Sequence, residues 1–429
     1  MRGPFFSAPI VKKPHLATSR CTESDYYVFF PPQSDLDVIS LKTSARVLLA
    51  LLSVALPLKS MAQIAPDPLL ASQIVDRYAE HIFYGSGATG MALVAIDGNQ
   101  QVFTSLGETR PGNNIRPQKD SVIRIASLSK LMTSQMMVKL AERGTLRLDD
   151  PLSKYAPPGA SVPNYNGQPI RLINLSTHTA GLPREQPGGK AVRPVFVWPT
   201  RADRWNWLTR APLKVAPGSR AAYSNIGYDL LADALARAAG TPYPALFSQL
   251  LTRPLGMKDT TFTPSPDQCA RLMVAEKGAS PCVNTLAAIG SGGVYSTPED
   301  MGRWMQQFLN SDIHRRTSQS DRLQTVIYRR DQLVKVDGMD VPGRADGIGM
   351  GWVYMAPRDG HPGIIEKTGG GGGFITYMAM VPQHNVGVFV VVTRSPLTRF
   401  TAMSDGVNNL LAELVGNQNG SPMRIDAIN

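Results

Sequence analysis

At 429 residues, with 43% hydrophobic and 18% charged side chains, the chain has ample material for a core and is no disordered polymer. Its formal charge of +11 favours anionic surroundings such as phospholipid head groups or acidic wall polymer, which allows for peripheral membrane association. The basic residues are scattered, with no Lys/Arg run interleaved with aromatics, so nucleic acid is not an expected partner.

The N-terminal region reads as a targeting segment. Lys42 and Arg46 precede the apolar run Val47–Leu56, and Ser60-Met61-Ala62 follows as a small-x-small site. This is the pattern of a secretory signal over 41–62, cleaved after Ala62, and it predicts a periplasmic protein. The run is too short to span a bilayer core of about 30 Å. Residues 1–40 read either as an over-extended translation start or as a disordered extension. Cys21 falls in this leader. Cys269 and Cys282 remain, compatible with a disulfide or with two buried thiols.

Beyond the signal, Ala71–Tyr84 carries apolar residues at helical spacing. Gly90–Ile96 and Gln101–Leu106 flank Asp97-Gly98-Asn99 and predict a hairpin. Val122–Ile125 is a third extended piece, leading into a mostly apolar, buried helix from Ser127 to Arg143 that Gly144 stops. The Pro- and Gly-rich middle holds helices at Asp229–Ala239 and Pro244–Leu251. A helix at Pro298–Leu309 precedes strands at Gly363–Lys367, Phe374–Val381 and Val386–Thr393, and a last helix covers Arg399–Leu414. Strands at both ends with helices between predict an α+β fold. An antiparallel sheet domain, 63–135 with 285–429, is flanked by N- and C-terminal helices and carries an inserted, mainly helical domain over 136–284.

Three short motifs carry the chemistry. Ser127-Leu128-Ser129-Lys130 places a hydroxyl and an amine on one helix face, as a weak serine nucleophile requires. Tyr223-Ser224-Asn225 offers a phenol for proton transfer and an amide for a peptide group. Lys367-Thr368-Gly369, followed by Gly370–Gly373, offers a cation and hydroxyl for a carboxylate, with glycines that let a substrate backbone approach. Each alone is an ordinary helix start, loop or turn; their order and placement give them weight together. His81, His178, His314, His361 and His384 have no ligand spacing, and no Cys-x-x-Cys or His-Glu-x-x-His occurs, so neither metal nor cofactor is expected. The pairs Trp205/Trp207 and Met136/Met137 read as packing.

With Tyr in place of the usual first Ser of the second motif, this set resembles the class C β-lactamase-like family of serine penicillin-interacting enzymes. The segment His178–Pro183 is similar to that family's H-T-S-G-L-P loop, and Gly290–Met301 to its later G-G-x-x-S/T-x-x-D-M segment. The resemblance runs over about Ala71–Leu414. Within it Gly85–Gln100, Tyr155–Ala160 and Glu366–Pro382 are most similar to the D-alanyl-D-alanine carboxypeptidase/endopeptidase members.

That resemblance implies a β-lactamase/DD-peptidase-like fold and catalysis by Ser127, Lys130 and Tyr223. It implies substrate binding by Asn225, Lys367, Thr368, Gly369 and Gly370, an oxyanion hole from the Ser127 and Gly370 N–H groups, and peptidoglycan stem peptides, cross-links and β-lactams as ligands. The base is either Lys130 or Tyr223. Glu366 stands where many class C enzymes carry His, and Gly370 replaces a common Ser or Thr; both departures point to weak β-lactam turnover. The competing readings are a true β-lactamase, an esterase on the same scaffold and a non-catalytic binding module. The last would be marked by loss of Ser127 or Lys130, and both are present.

Overall fold

The computed structural model describes residues 68–189, 195–309 and 318–418. The leader, the signal segment, its cleavage point and His314 lie outside the described residues. The first helix, α1 (Pro68–Ser86), precedes a hairpin of β1 (Gly90–Asp97) and β2 (Gln100–Gly107). Helices α2 (Ser129–Glu142), α3 (Arg201–Leu208), α4 (Asn225–Ala239) and α5 (Pro298–Gln306) lie between. Short strands β3 (Tyr328–Arg329), β4 (Gly347–Ile348) and β5 (Val353–Met355) lead to the long ones, β6 (Ile364–Gly371), β7 (Phe374–Val381) and β8 (Val386–Thr393). Helix α6 (Phe400–Gln418) ends the described chain.

These eight strands form one antiparallel sheet in the order β2-β1-β8-β7-β6-β5-β4-β3. Strands β1 and β8 are buried along their whole length, so both read as continuous apolar runs instead of alternating ones. Side-chain alternation still divides them. Met91, Leu93 and Ala95 face a rear core with Ile82 of α1 and Val407 of α6, whereas Ala92, Val94 and Ile96 face a front core with α2 and the other helices. The rear helices are also joined by Glu413, which accepts from the Tyr78 hydroxyl at 2.8 Å and pairs with Arg77. Burial pushes the Tyr78 phenol far up, so it stays a donor there.

The expected helix from Ser127 begins differently. Residues Ala126–Leu128 form a 3₁₀ turn and the α-helix starts at Ser129. Likewise Val122–Ile125 contributes only Ile123–Arg124 as a strand, paired with Tyr295–Ser296 outside the main sheet. The expected Pro244–Leu251 helix is α-helical from Tyr243 to Phe247 and then widens into a π turn over Ser248–Thr252.

Cys269 and Cys282 are bonded, with Cα atoms 5.8 Å apart, which decides between the two readings of these thiols. The loop they close braces the β6–β7 turn: Ala275 and Ala279 sit where a Cβ on Gly373 would go, and the Arg124 guanidinium donates to the Pro281 carbonyl at 2.5 Å. Closing so short a loop stabilises by about 3 kcal/mol. Replacing both cysteines by serine is expected to lower the unfolding free energy by about that amount, read as a fall in the denaturant midpoint. A midpoint equal to wild type would show the bond to be energetically idle.

Candidate active site

From Ser121 to Val138 every residue is buried except Ser127. Its turn creates that exception. Ala126 has φ +47°, a left-handed conformation that costs a non-glycine residue of order 1–2 kcal/mol, and it turns the hydroxyl out of the core. The Ile125 carbonyl anchors the turn, accepting from the Leu128 N–H at 3.2 Å and from Thr376 Oγ1 on β7 at 3.0 Å.

Three groups meet at that hydroxyl. Lys130 Nζ lies 3.2 Å from Ser127 Oγ, and the Tyr223 phenol donates to it at 2.6 Å. Lys130 Nζ also donates to Asn225 Oδ1 at 2.7 Å and to the Ser291 carbonyl at 2.6 Å. Asn225 opens α4, whose N-cap Ser224 accepts from the Gly227 N–H at 3.0 Å. Capping a buried helix therefore also positions the second motif.

The third motif arrives on β6. Lys367 is 3% exposed and its Nζ lies 4.9 Å from the centre of the Tyr223 ring, which Lys130 and the Arg184 guanidinium also face at 4.8 and 4.7 Å. Strand β5 pairs with β6 only over Ile364–Glu366, so among the described residues Lys367–Gly371 has no strand on its outer side. Thr368 stands half exposed on that stretch; alternation places it with Glu366 and Tyr377, away from Lys367. Gly369 is required sterically, since a Cβ there would lie 2.3 Å from Thr376 Oγ1 and 2.7 Å from the Ile125 carbonyl. Gly370 is open, whereas Gly372 has φ +63° and turns the chain into β7. The glycine run thus serves packing and turning at two positions that the sequence reading gave to substrate clearance.

Electrostatics separate the two amines by environment. Burial pushes Lys130 down to about 7, against the pull of Asp229 and Glu185. Burial also lowers Lys367, which the Tyr223 phenol opposes. Asp229, pushed up to about 6 by burial, accepts from the Gly290 and Ser291 N–H groups, each at 2.9 Å, and so fixes the carbonyl that holds Lys130. The sequence reading missed Asp229 and Ser291. The signal was available: Asp229 lies four residues after Asn225 on one helix face, and Ser291 lies in the Gly290–Met301 segment. His178 is buried, as a structural residue. Burial and the nearby Lys367 hold it well below its usual range, Nδ1 accepts from the Ser224 N–H at 3.0 Å, and the ring stacks 4.5 Å from Tyr223.

A family model described as Beta-lactamase matches residues 72–412. The chain belongs to the β-lactamase family. Among the family's curated proteins, it is 73% identical over 357 residues to the D-alanyl-D-alanine-carboxypeptidase/endopeptidase AmpH of Escherichia coli K12, covering 83% of this chain and 93% of that protein. A solved β-lactamase/D-alanine carboxypeptidase of Yersinia pestis, complexed with citrate, superposes with a TM-score of 0.80 at 64% identity, over 81% of this chain and 99% of that one. A class C β-lactamase of Rhodobacter sphaeroides shares the fold, with a TM-score of 0.64 at 21% identity, over 80% and 100%.

The departure from the family pattern at Glu366 looks different in three dimensions. Lys367 follows Ile365 into the front core side, whereas Glu366 joins Ile364 and Tyr377 at the rear. It is 1% exposed, its Oε2 has no protein partner, and burial pushes its carboxyl up to about 8. It makes no hydrogen bond to the Ser127 hydroxyl.

Proposed function

We propose that this chain is a serine DD-peptidase of peptidoglycan. It releases D-alanine from D-alanyl-D-alanine ends and cuts D-alanyl–diaminopimelate cross-links through a Ser127 acyl-enzyme. The observation that carries the reading is the hydroxyl that meets both the Lys130 amine and the Tyr223 phenol beside buried Lys367. Neutral Lys130 keeps its two short donations, to Asn225 and Ser291, and turns its lone pair to Ser127 Oγ; it is the base. Oγ attacks the D-alanyl carbonyl, and the oxyanion is held by the Ser127 and Gly370 N–H groups. The proton passes through Tyr223 to the departing amine as the C–N bond breaks. Water then attacks the ester carbonyl and gives up a proton to the same base, which returns it to Ser127 Oγ as the ester C–O bond breaks. Lys367 holds the carboxylate on the leaving D-centre at the open edge of β6, and Asn225 orients the acyl-side amide.

A periplasmic location, reached through the signal segment and cleavage after Ala62, fits both this substrate and the disulfide. Among the described residues, no helix is long and apolar enough to cross a membrane. The same site accepts β-lactams. Its family membership also favours one second reading, a β-lactamase with rapid deacylation.

Two measurements on the wild-type protein separate them: mass analysis of muropeptides after digestion, and the lifetime of a fluorescent penicillin label. Loss of terminal D-alanine with a persistent label is the expected result. Fast label release with untouched muropeptides assigns the β-lactamase reading instead.

A further inference from the structure

A cavity of about 1000 Å³ is lined in part by Tyr223, whose phenol donates to Ser127 Oγ at 2.6 Å. Its lining carries four cations, Arg184, Arg210, Lys214 and Arg220, against two carboxylates, Asp203 and Asp337. Both carboxylates are engaged. Asp337 pairs with Arg220 and Lys335, and Asp203 accepts from the Thr200 hydroxyl and N–H at the start of α3. Among the described residues, no carboxylate lies within ion-pair distance of Arg184, Arg210 or Lys214. Gln186, on the same wall and 9% exposed, has an Oε1 without a protein donor. Apart from Asn206, the remaining lining is largely apolar, chiefly Leu182, Pro187, Trp207 and Val215. The wall is also firm: buried Arg204 of α3 binds Asp233 of α4 through two bonds, at 2.7 and 3.1 Å, and the Trp205 indole adds a third at 2.9 Å.

Which end of a substrate would enter follows from the proton path. Lys130 and Tyr223 both touch Ser127 Oγ, but Lys130 is fully enclosed while Tyr223 borders the cavity. A phenol that hands a proton to the departing amine has that amine on its open side. The cavity therefore lies beyond the leaving group. A D-alanyl-D-alanine end leaves only D-alanine, whose single carboxylate is taken by Lys367. A cross-link leaves a whole second stem peptide, with further carboxylates several bonds beyond the reacting nitrogen.

We infer that the Arg184/Arg210/Lys214 cavity is the binding site for the acceptor stem of cross-linked peptide, and that it sets the preference for cutting cross-links over trimming D-alanine ends. The inference rests on the DD-peptidase reading above and assigns a part of the molecule that the trimming reaction does not use. Arg210 and Lys214 are exposed and distant in role from the hydroxyl, so Arg210→Gln/Lys214→Gln removes charge without disturbing the reacting groups.

The test measures both reactions on the same preparations, with a purified cross-linked muropeptide dimer and an uncross-linked pentapeptide. The double variant is expected to raise KM for the dimer about tenfold or more with kcat little changed. Its D-alanine release from pentapeptide stays within about twofold of wild type. The wild-type dimer KM should also climb with ionic strength more steeply than that of the variant. Equal loss on both substrates, or no loss on either, overturns the inference and leaves the DD-peptidase reading standing. Wild-type protein that releases no D-alanine from pentapeptide overturns that reading, and the inference with it.

Discussion

Ser127→Ala is expected to lower the rate of penicillin acylation by about 10⁵-fold, leaving no mass adduct after hours of incubation. The size of the effect follows from the absence of a substitute among the neighbouring hydroxyls. Ser129 Oγ donates to the Ala126 carbonyl at 2.7 Å and accepts from the Val294 N–H, Ser291 Oγ donates to Asp229 at 3.0 Å, and Ser224 Oγ caps α4. Each is committed to a structural bond and buried. Binding should survive, because Lys367, Asn225 and the β6 edge are untouched. The variant should fold normally, with its unfolding free energy within about 1 kcal/mol of wild type, since a partly exposed hydroxyl is removed and no cavity is made. A Ser127→Ala protein that still gains the adduct would sink the assignment of the nucleophile.

The second large effect concerns Lys130. Acylation by the wild-type protein should rise with pH through a midpoint at about 7, as the enclosed ammonium gives up its proton and becomes able to take one from Ser127. Below that pH the amine is charged and its lone pair is gone, so the rate falls tenfold per unit. Lys130→Met keeps the length and apolar stem, and should lower the plateau rate by about 10³-fold while abolishing the limb near 7. Tyr223→Phe should also slow acylation but keep the limb. The measurement is the pH profile of β-lactam acylation for all three proteins. If the limb survives in Lys130→Met and vanishes in Tyr223→Phe, the roles of amine and phenol are exchanged.

The legible and illegible parts of this molecule divide on physical lines. The hairpin β1–β2 and strands β7 and β8 were readable because β-branched runs bounded by turn residues have few alternatives, and the predicted ends lie within about one residue of those seen. The three motifs were readable as short fixed spacings of polar side chains, and the structure brings Ser127, Lys130, Tyr223 and Lys367 together. Strands β3, β4 and β5 were not: two or three residues long, they owe their extended form to neighbours in the sheet and not to their own pattern. Nor was the 3₁₀ turn at Ser127, because Ala126 carries no sign of a left-handed backbone; tertiary contacts from Thr376 impose it. Glu366 was misleading for a related reason. Adjacent in sequence to Lys367, it lies across the sheet, a consequence of period-two alternation once the strand's register is known.

The position of β8 has a consequence for how the molecule comes into being. This strand lies between β1 and β7, and Thr393 at its end meets Gly90 at the start of β1, 303 residues earlier. A ribosome adding 5–20 residues per second makes that interval in about 15–60 s. Throughout it the β1–β2 hairpin has an unpaired edge that is apolar from Met91 to Ile96, the kind of surface that captures other strands. No nascent fragment ending before β8 can assemble the sheet that carries Lys367 beside Ser127. A chain that lacks β8 is therefore catalytically silent and carries an open β1 edge.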